Sequence, residues 1–119
     1  MASDPSFVEF IVEQMEDAGM ITYRKMFGDY AVYCDGKVVA LICDDQLFVK
    51  PTAGGRLYIG DVCEAVPYPG ARLHFLIEDA FEDREWISGL IRATAAELPY
   101  PKQKGSKKNK RIQKTEKGQ

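Results

Sequence analysis

Tyr30-Ala31-Val32-Tyr33-Cys34-Asp35-Gly36-Lys37-Val38-Val39-Ala40-Leu41-Ile42-Cys43 places two apolar runs, rich in residues that suit strands, on either side of an Asp-Gly pair. Asp-Gly in that setting is the strongest short-range signal for a two-residue hairpin turn, because both turn residues need positive φ and glycine adopts it freely. Such a turn fixes the register. It predicts Cys34 opposite Lys37, Val32 opposite Val39 and Tyr30 opposite Leu41. One face would then carry Tyr30, Val32, Cys34, Val39, Leu41 and Cys43, and the other Ala31, Tyr33, Val38, Ala40 and Ile42. Neither face is polar. An antiparallel sheet with one wet face alternates apolar with polar residues, so this ribbon is expected to be covered on both sides. A first helix supplies one cover; a second helix or a second subunit would supply the other.

Upstream, Ile21 to Met26 reads as a strand that leads through Gly28-Asp29 into the hairpin. Before it, Ser3 or Asp4 suits the N-cap of a helix with Pro5 at its first position, where the missing N–H costs nothing. Phe7, Phe10, Ile11, Met15 and Ala18 recur at helical spacing along it, and Gly19 ends it. Downstream, Asp44-Asp45 turns the chain into a strand over Leu47 to Lys50. Pro51 to Gly60 is a weak helix signal, since Gly54-Gly55 costs about 1 kcal/mol per glycine in a helix interior, and the pair suits a flexible connection better. Val62 to Val66 and Arg72 to Ile77 read as strands separated by Pro67, Pro69 and Gly70. A last helix begins near Glu82 or Asp83, buries Trp86, Ile87, Leu90, Ile91 and Leu98, and stops at Pro99. The fold class is α+β: an antiparallel sheet of about five to six strands packed with an N-terminal and a C-terminal helix.

The 119 residues fit one domain over 1–100, followed by a tail over 101–119. The net charge of −2 conceals a division, because residues 1–100 carry −9 and residues 101–119 carry +7. An acidic body repels phosphate backbones, so contact with nucleic acid would have to begin with the tail. Among residues 101–119 only Ile112 is a sizeable apolar side chain, so the segment is read as a disordered basic tail. Three cysteines, Cys34, Cys43 and Cys63, form no Cys-x-x-Cys pair and no even framework, which points to a reducing, cytoplasmic setting. No apolar run approaches the ~18 residues of a membrane span, so no membrane partner is expected.

Motifs for chemistry are scarce. A histidine-dependent hydrolase would need His74, which sits inside a predicted strand and reads as a structural sheet residue. Three scattered cysteines and one histidine lack the close ligand pairs of common zinc sites. Asp44-Asp45 reads as a solvated turn rather than a metal carboxylate pair. Gly54-Gly55-Arg56 lacks the Gly-Lys-Ser/Thr ending of a phosphate loop. The domain is therefore read as not an enzyme, with no cofactor, no metal and no catalytic residue. The tail residues Lys102, Lys104, Lys107, Lys108, Lys110 and Arg111 give charge without stacking platforms, which suits nonspecific nucleic-acid contact and equally a solubilising segment that leans on its own acidic body.

The run Arg24-Lys25-Met26-Phe27-Gly28-Asp29-Tyr30-Ala31-Val32-Tyr33, then Asp35-Gly36, Val39-Ala40-Leu41-Ile42 and Asp45-Gln46-Leu47-Phe48-Val49-Lys50, resembles the signature of the TfoX N-terminal domain family. That family takes its name from bacterial regulators of competence for DNA transformation. The likeness is dense from Tyr23 to Lys50 and extends in element order over residues 5–98; Asp29 and Ala31 stand where the pattern usually has glycine. The resemblance implies a small α+β fold, no cofactor, and a role in transcription regulation through protein contacts. Longer members carry a second, C-terminal domain. Read from the residues themselves, Met26 and Phe27 suit core plugs and Gly28 a positive-φ turn. Arg24 and Lys25 are adjacent cations on opposite sides of one strand, suited first to internal ion pairs and second to a partner. Arg24, Lys25, Phe27, Tyr30 and Tyr33 are thus the candidate contacts for a protein partner or for a homodimer. The alternative function is a nucleic-acid accessory protein tethered to DNA or RNA through the basic tail.

Overall fold

The computed structural model describes residues 3–26 and 29–99. Asp4 caps the first helix, α1 (Pro5–Gln14): its carboxylate accepts the backbone N–H of Ser6 at 2.9 Å, and Pro5 occupies the first turn. A 3-10 turn at Glu16–Ala18 then leads to Gly19 and into the sheet. Four strands follow in sequence, β1 (Ile21–Met26), β2 (Asp29–Cys34), β3 (Lys37–Cys43) and β4 (Gln46–Val49). Helix α2 (Ala53–Ile59), strands β5 (Glu64–Ala65) and β6 (His74–Ile77), and helix α3 (Arg84–Glu97) complete the described chain. The strands form one antiparallel six-stranded sheet in the order β1-β2-β3-β4-β6-β5.

Asp35 and Gly36 both take positive φ, 52° and 85°, and make the two-residue turn that the sequence predicts, with Cys34 opposite Lys37. Beyond Tyr33 opposite Val38, however, the register departs from expectation. A bulge leaves Val39 unmatched, so that Val32 faces Ala40, Ala31 faces Leu41 and Tyr30 faces Ile42. One extra residue flips every later side chain of β3. Ala40 and Ile42 therefore join Tyr30, Val32, Cys34 and Val39 on the core face, while Leu41 moves to the second face.

One buried cluster occupies that core face, with Val8, Ile11 and Met15 from the first helical region and Ile87, Leu90 and Ile91 from α3 meeting Val32, Ile42, Leu47, Val49 and Phe75, while Ile59 of α2 packs against it partly buried. Each aliphatic side chain of this size contributes about 1.5–3 kcal/mol when fully buried. Val8 takes the place expected for Phe10, which is 40% exposed and rests edge-on against Phe81. Ser88 ties α3 to α1 by donating to the Gln14 carbonyl at 3.0 Å. Asp83 caps α3 by accepting the Trp86 N–H at 3.1 Å.

The second face has no helix over it among the described residues, which corrects the expectation of a second helical cover. Ala31, Cys43 and Phe48 are buried there, whereas Tyr33, Val38, Leu41 and Leu76 are half-buried. The glycine pair also departs from its reading as a flexible connection. Gly54 and Gly55 lie inside α2, where their missing side chains let that helix approach α3: a Cβ at Gly55 would stand 3.3 Å from the Phe75 ring and 3.5 Å from Leu90. Close packing of two helices outweighs the weak helical propensity of glycine. No helix of the described residues is long and apolar enough to cross a membrane.

Candidate functional site

β1 is an edge of the sheet, and its exposure follows from that position. Only β2 pairs with it, over the unbroken register Ile21 to Cys34 through Met26 to Asp29. Ile21 is half-buried and the next five residues are exposed. The pairing places Thr22, Arg24 and Met26 opposite Tyr33, Ala31 and Asp29, and Tyr23 and Lys25 opposite Val32 and Tyr30. Successive side chains alternate between faces, so Arg24 stands on the second face and Lys25 on the core side, as the sequence implies.

Among the described residues neither cation is held in an ion pair. Among the described residues the ion pairs are Arg56 with Glu64 at 2.6 Å and Arg84 with Glu16 and Asp17 at 3.4 and 3.3 Å; Arg24 and Lys25 take part in none. Internal pairing, the first reading of these residues, finds no partner for either cation among the described residues. The physical reason is location, because β1 projects from the sheet edge while the acidic side chains that do pair are carried by the 3-10 turn and β5.

Three other candidates fare differently. Tyr30 is buried, 9% exposed, on the core face, and its ring meets Tyr23 edge-on at 5.8 Å. Tyr33 is half-buried on the second face. Met26 is 44% exposed, so it is not the core plug expected of it. Phe27 and Gly28 lie outside the described residues, as do Lys102, Lys104, Lys107, Lys108, Lys110 and Arg111.

Beside β1 lies an apolar groove of about 370 Å³ lined by Met26, Asp29, Leu41 and Cys43 of the second face together with Tyr30 and Tyr68. Tyr68 comes from the connection between β5 and β6, which passes this side of the sheet. Sequence reasoning missed it, since nothing in the Pro67 to Gly70 turn tells where its ring will land. At the groove wall, burial pushes the Cys43 thiol up to about 11, with the Asp29 and Asp44 carboxylates adding to the effect, so it stays protonated at neutral pH. His74 is buried and its Nδ1 stands 2.9 Å from the Arg72 carbonyl, which requires that nitrogen to carry the proton. The ring is committed to its own backbone. A broader polar depression, about 610 Å³, lies along α3 between Asp17, Tyr58, Asp83, Glu85, Trp86 and Arg92.

A one-sided helical cover over a six-stranded antiparallel sheet, with a bare, regular edge strand and an apolar groove next to it, defines a small α+β domain built around an exposed sheet margin. Residues 13–98 match the model of the TfoX N-terminal domain, and the chain belongs to that family. It is 38% identical over 107 residues, 90% of this chain and 93% of the relative, to a protein of Spirochaeta aurantia described as an uncharacterized 12.7 kDa protein in the trpE 5′ region.

Proposed function

We propose that this chain is a non-enzymatic regulatory domain that acts in transcription regulation through protein contacts. The observation that carries this reading is the margin formed by β1: two cations without an ion pair among the described residues, on an exposed strand beside an apolar groove. Charged side chains left unpaired at an open edge serve recognition better than stability, since an isolated surface pair would contribute only about 0–1 kcal/mol in any case. Family membership supports the regulatory side of the proposal, because the family is named for competence regulators.

The test is affinity capture from the native host with the full chain and with a Tyr23→Ser/Met26→Ser variant, both positions being exposed. A transcription-related protein recovered by the first and lost by the second is the expected result; identical recoveries would overturn the reading. Homodimerisation is one form such a contact can take, and sedimentation equilibrium over a hundredfold concentration range decides it.

Composition favours a second reading, in which the +7 tail tethers the acidic body to nucleic acid. Seven net charges meeting duplex phosphates give a salt slope of about −6 as an upper bound. Full-length chain with its eight tail cations changed to Gln would then lose duplex binding and its salt dependence.

A further inference from the structure

Strands that close a sheet normally protect their free backbone groups with proline, a bulge, an inward charge or an overlying segment. β1 has none of the first two: Ile21–Met26 contains no proline, and its six cross-strand pairs with β2 run without a register shift. Half of its N–H and C=O groups point toward β2, and the alternate half point outward as a regular row of donors and acceptors. Five of the six residues are exposed, so among the described residues nothing overlies that row. The protection is instead electrostatic, from Arg24 and Lys25 at the middle of the strand.

That charge selects the partner. Two copies of this chain meeting edge to edge would bring four cations into one short ribbon, and like charges across strands are destabilising. A nucleic-acid strand offers phosphate acceptors for the N–H groups and cations but no regular donors for the outward carbonyls, and its charge would extend over a body that carries −9. An extended polypeptide satisfies both halves of the backbone row. Two carboxylates on it are enough to match the two cations, which keeps repulsion from the rest of the acidic surface short-ranged.

We propose that β1 is a docking edge for an extended acidic protein segment, which adds to it antiparallel as a seventh strand and sets two successive carboxylates against Lys25 and Arg24. This inference rests on the protein-contact reading above and specifies the partner's chemistry. The register defines the motif. Read antiparallel along Met26, Lys25, Arg24 and Tyr23, the partner presents an apolar residue, two acids and an apolar residue. Its first apolar side chain falls beside the groove that Met26 and Leu41 line, and its second covers the Tyr23 ring, which is 40% exposed.

The probe is a fluorescein-labelled peptide, Val-Glu-Glu-Val-Thr-Val, titrated against the full-length chain at 50 mM salt with polarisation and amide hydrogen exchange as readouts. Saturable binding, protection of alternate amides within residues 21–26, and at least a tenfold weakening by Arg24→Ser/Lys25→Ser are expected. Both replaced residues are exposed, so the fold withstands the change. Charge reversal gives an independent check: Arg24→Glu/Lys25→Glu should reject this peptide and accept Val-Lys-Lys-Val-Thr-Val. No saturable binding, binding indifferent to the serine variant, or protection lying outside β1 overturns the proposal. So does a duplex oligonucleotide that protects the same amides when the peptide does not. If host capture instead succeeds independently of Arg24 and Lys25, the docking edge falls while the protein-contact function stands.

Discussion

Asp45 accepts the backbone N–H of Asp4 at 2.7 Å, joining the turn between β3 and β4 to the residue that caps α1. Ser3 reinforces the junction, since its hydroxyl accepts the Asp45 N–H at 3.2 Å. Asp44 and Asp45 hold φ of 53° and 58°, a left-handed conformation that disfavours most side chains but that aspartate tolerates. Asp45 thus combines backbone tolerance with a long-range bond. Asp45→Ala loses both and is expected to destabilise by about 1–3 kcal/mol. Asp44→Gly keeps the bond to Asp4 and relieves the strain at φ 53°, so it should leave stability unchanged or raise it by up to about 1 kcal/mol. Urea unfolding of the two variants checks the contrast.

Asp4 also links the fold to acidity. The Ser6 backbone N–H, and then the Ser6 hydroxyl, hold its carboxyl below the usual value of 3.8. A folded-state value below the unfolded one means that the unfolded chain binds more protons in this range, so the contribution is complete above about 3.8 and is lost as pH falls further. Asp4→Asn retains a capping oxygen without the titration. Acid unfolding followed by circular dichroism is expected to show a shallower dependence below pH 4 in the variant than in the parent chain.

Much of the fold was legible because its punctuation is local. Asp35-Gly36, the Asp4-Pro5 start of α1 and the Leu98-Pro99 end of α3 each fix a boundary through the dihedral angles or capping groups of the residues themselves. The bulge at Val39 was not legible. It arises because Val39 and Ala40 both reach the core under the helices, a tertiary demand that leaves no glycine or polar marker in the run Val38 to Cys43. At the candidate site, the opposite faces of Arg24 and Lys25 followed from strand alternation alone. Their lack of ion pairs among the described residues did not, since sheet order decides which strand lies at the edge, and sheet order depends on long-range pairing.

The two glycines of α2 should respond very differently to the same small change. A Cβ at Gly55 would come within 2.8 Å of the Thr52 hydroxyl oxygen, the cap of that helix, and 3.3 Å of the Phe75 ring. Gly55→Ala therefore disturbs the cap and overpacks the core, and a net loss of about 1–3 kcal/mol is expected despite better helix propensity. At Gly54 the atom met is the end of the Glu97 side chain, which can swing aside. Gly54→Ala should change stability by less than about 1 kcal/mol, because helical propensity gained offsets the displaced Glu97 bond to the Gly54 N–H. Thermal unfolding of both variants provides the comparison.

The three thiols are free but unequal. Cys63 is exposed, whereas Cys34 and Cys43 are buried. Burial, and then the Asp35 carboxylate, push the Cys34 thiol upward; burial, and then Asp29 and Asp44, push Cys43 from 9.0 to about 11. Only the thiolate attacks an alkylating reagent. At pH 8 iodoacetamide should label Cys63 readily and reach Cys34 and Cys43 only on unfolding, as peptide mass mapping with and without urea would show. The same shift acts on stability. Between about 9 and about 11 the unfolded chain has released the Cys43 proton and the folded chain has not, so the folded state binds more protons and its stability falls as pH rises through that window. Cys43→Ala removes this component, and urea midpoints measured from pH 8 to 11 should decline less steeply in the variant. An unchanged slope would mean that the groove between Met26 and Tyr68 admits enough water to solvate the Cys43 thiolate.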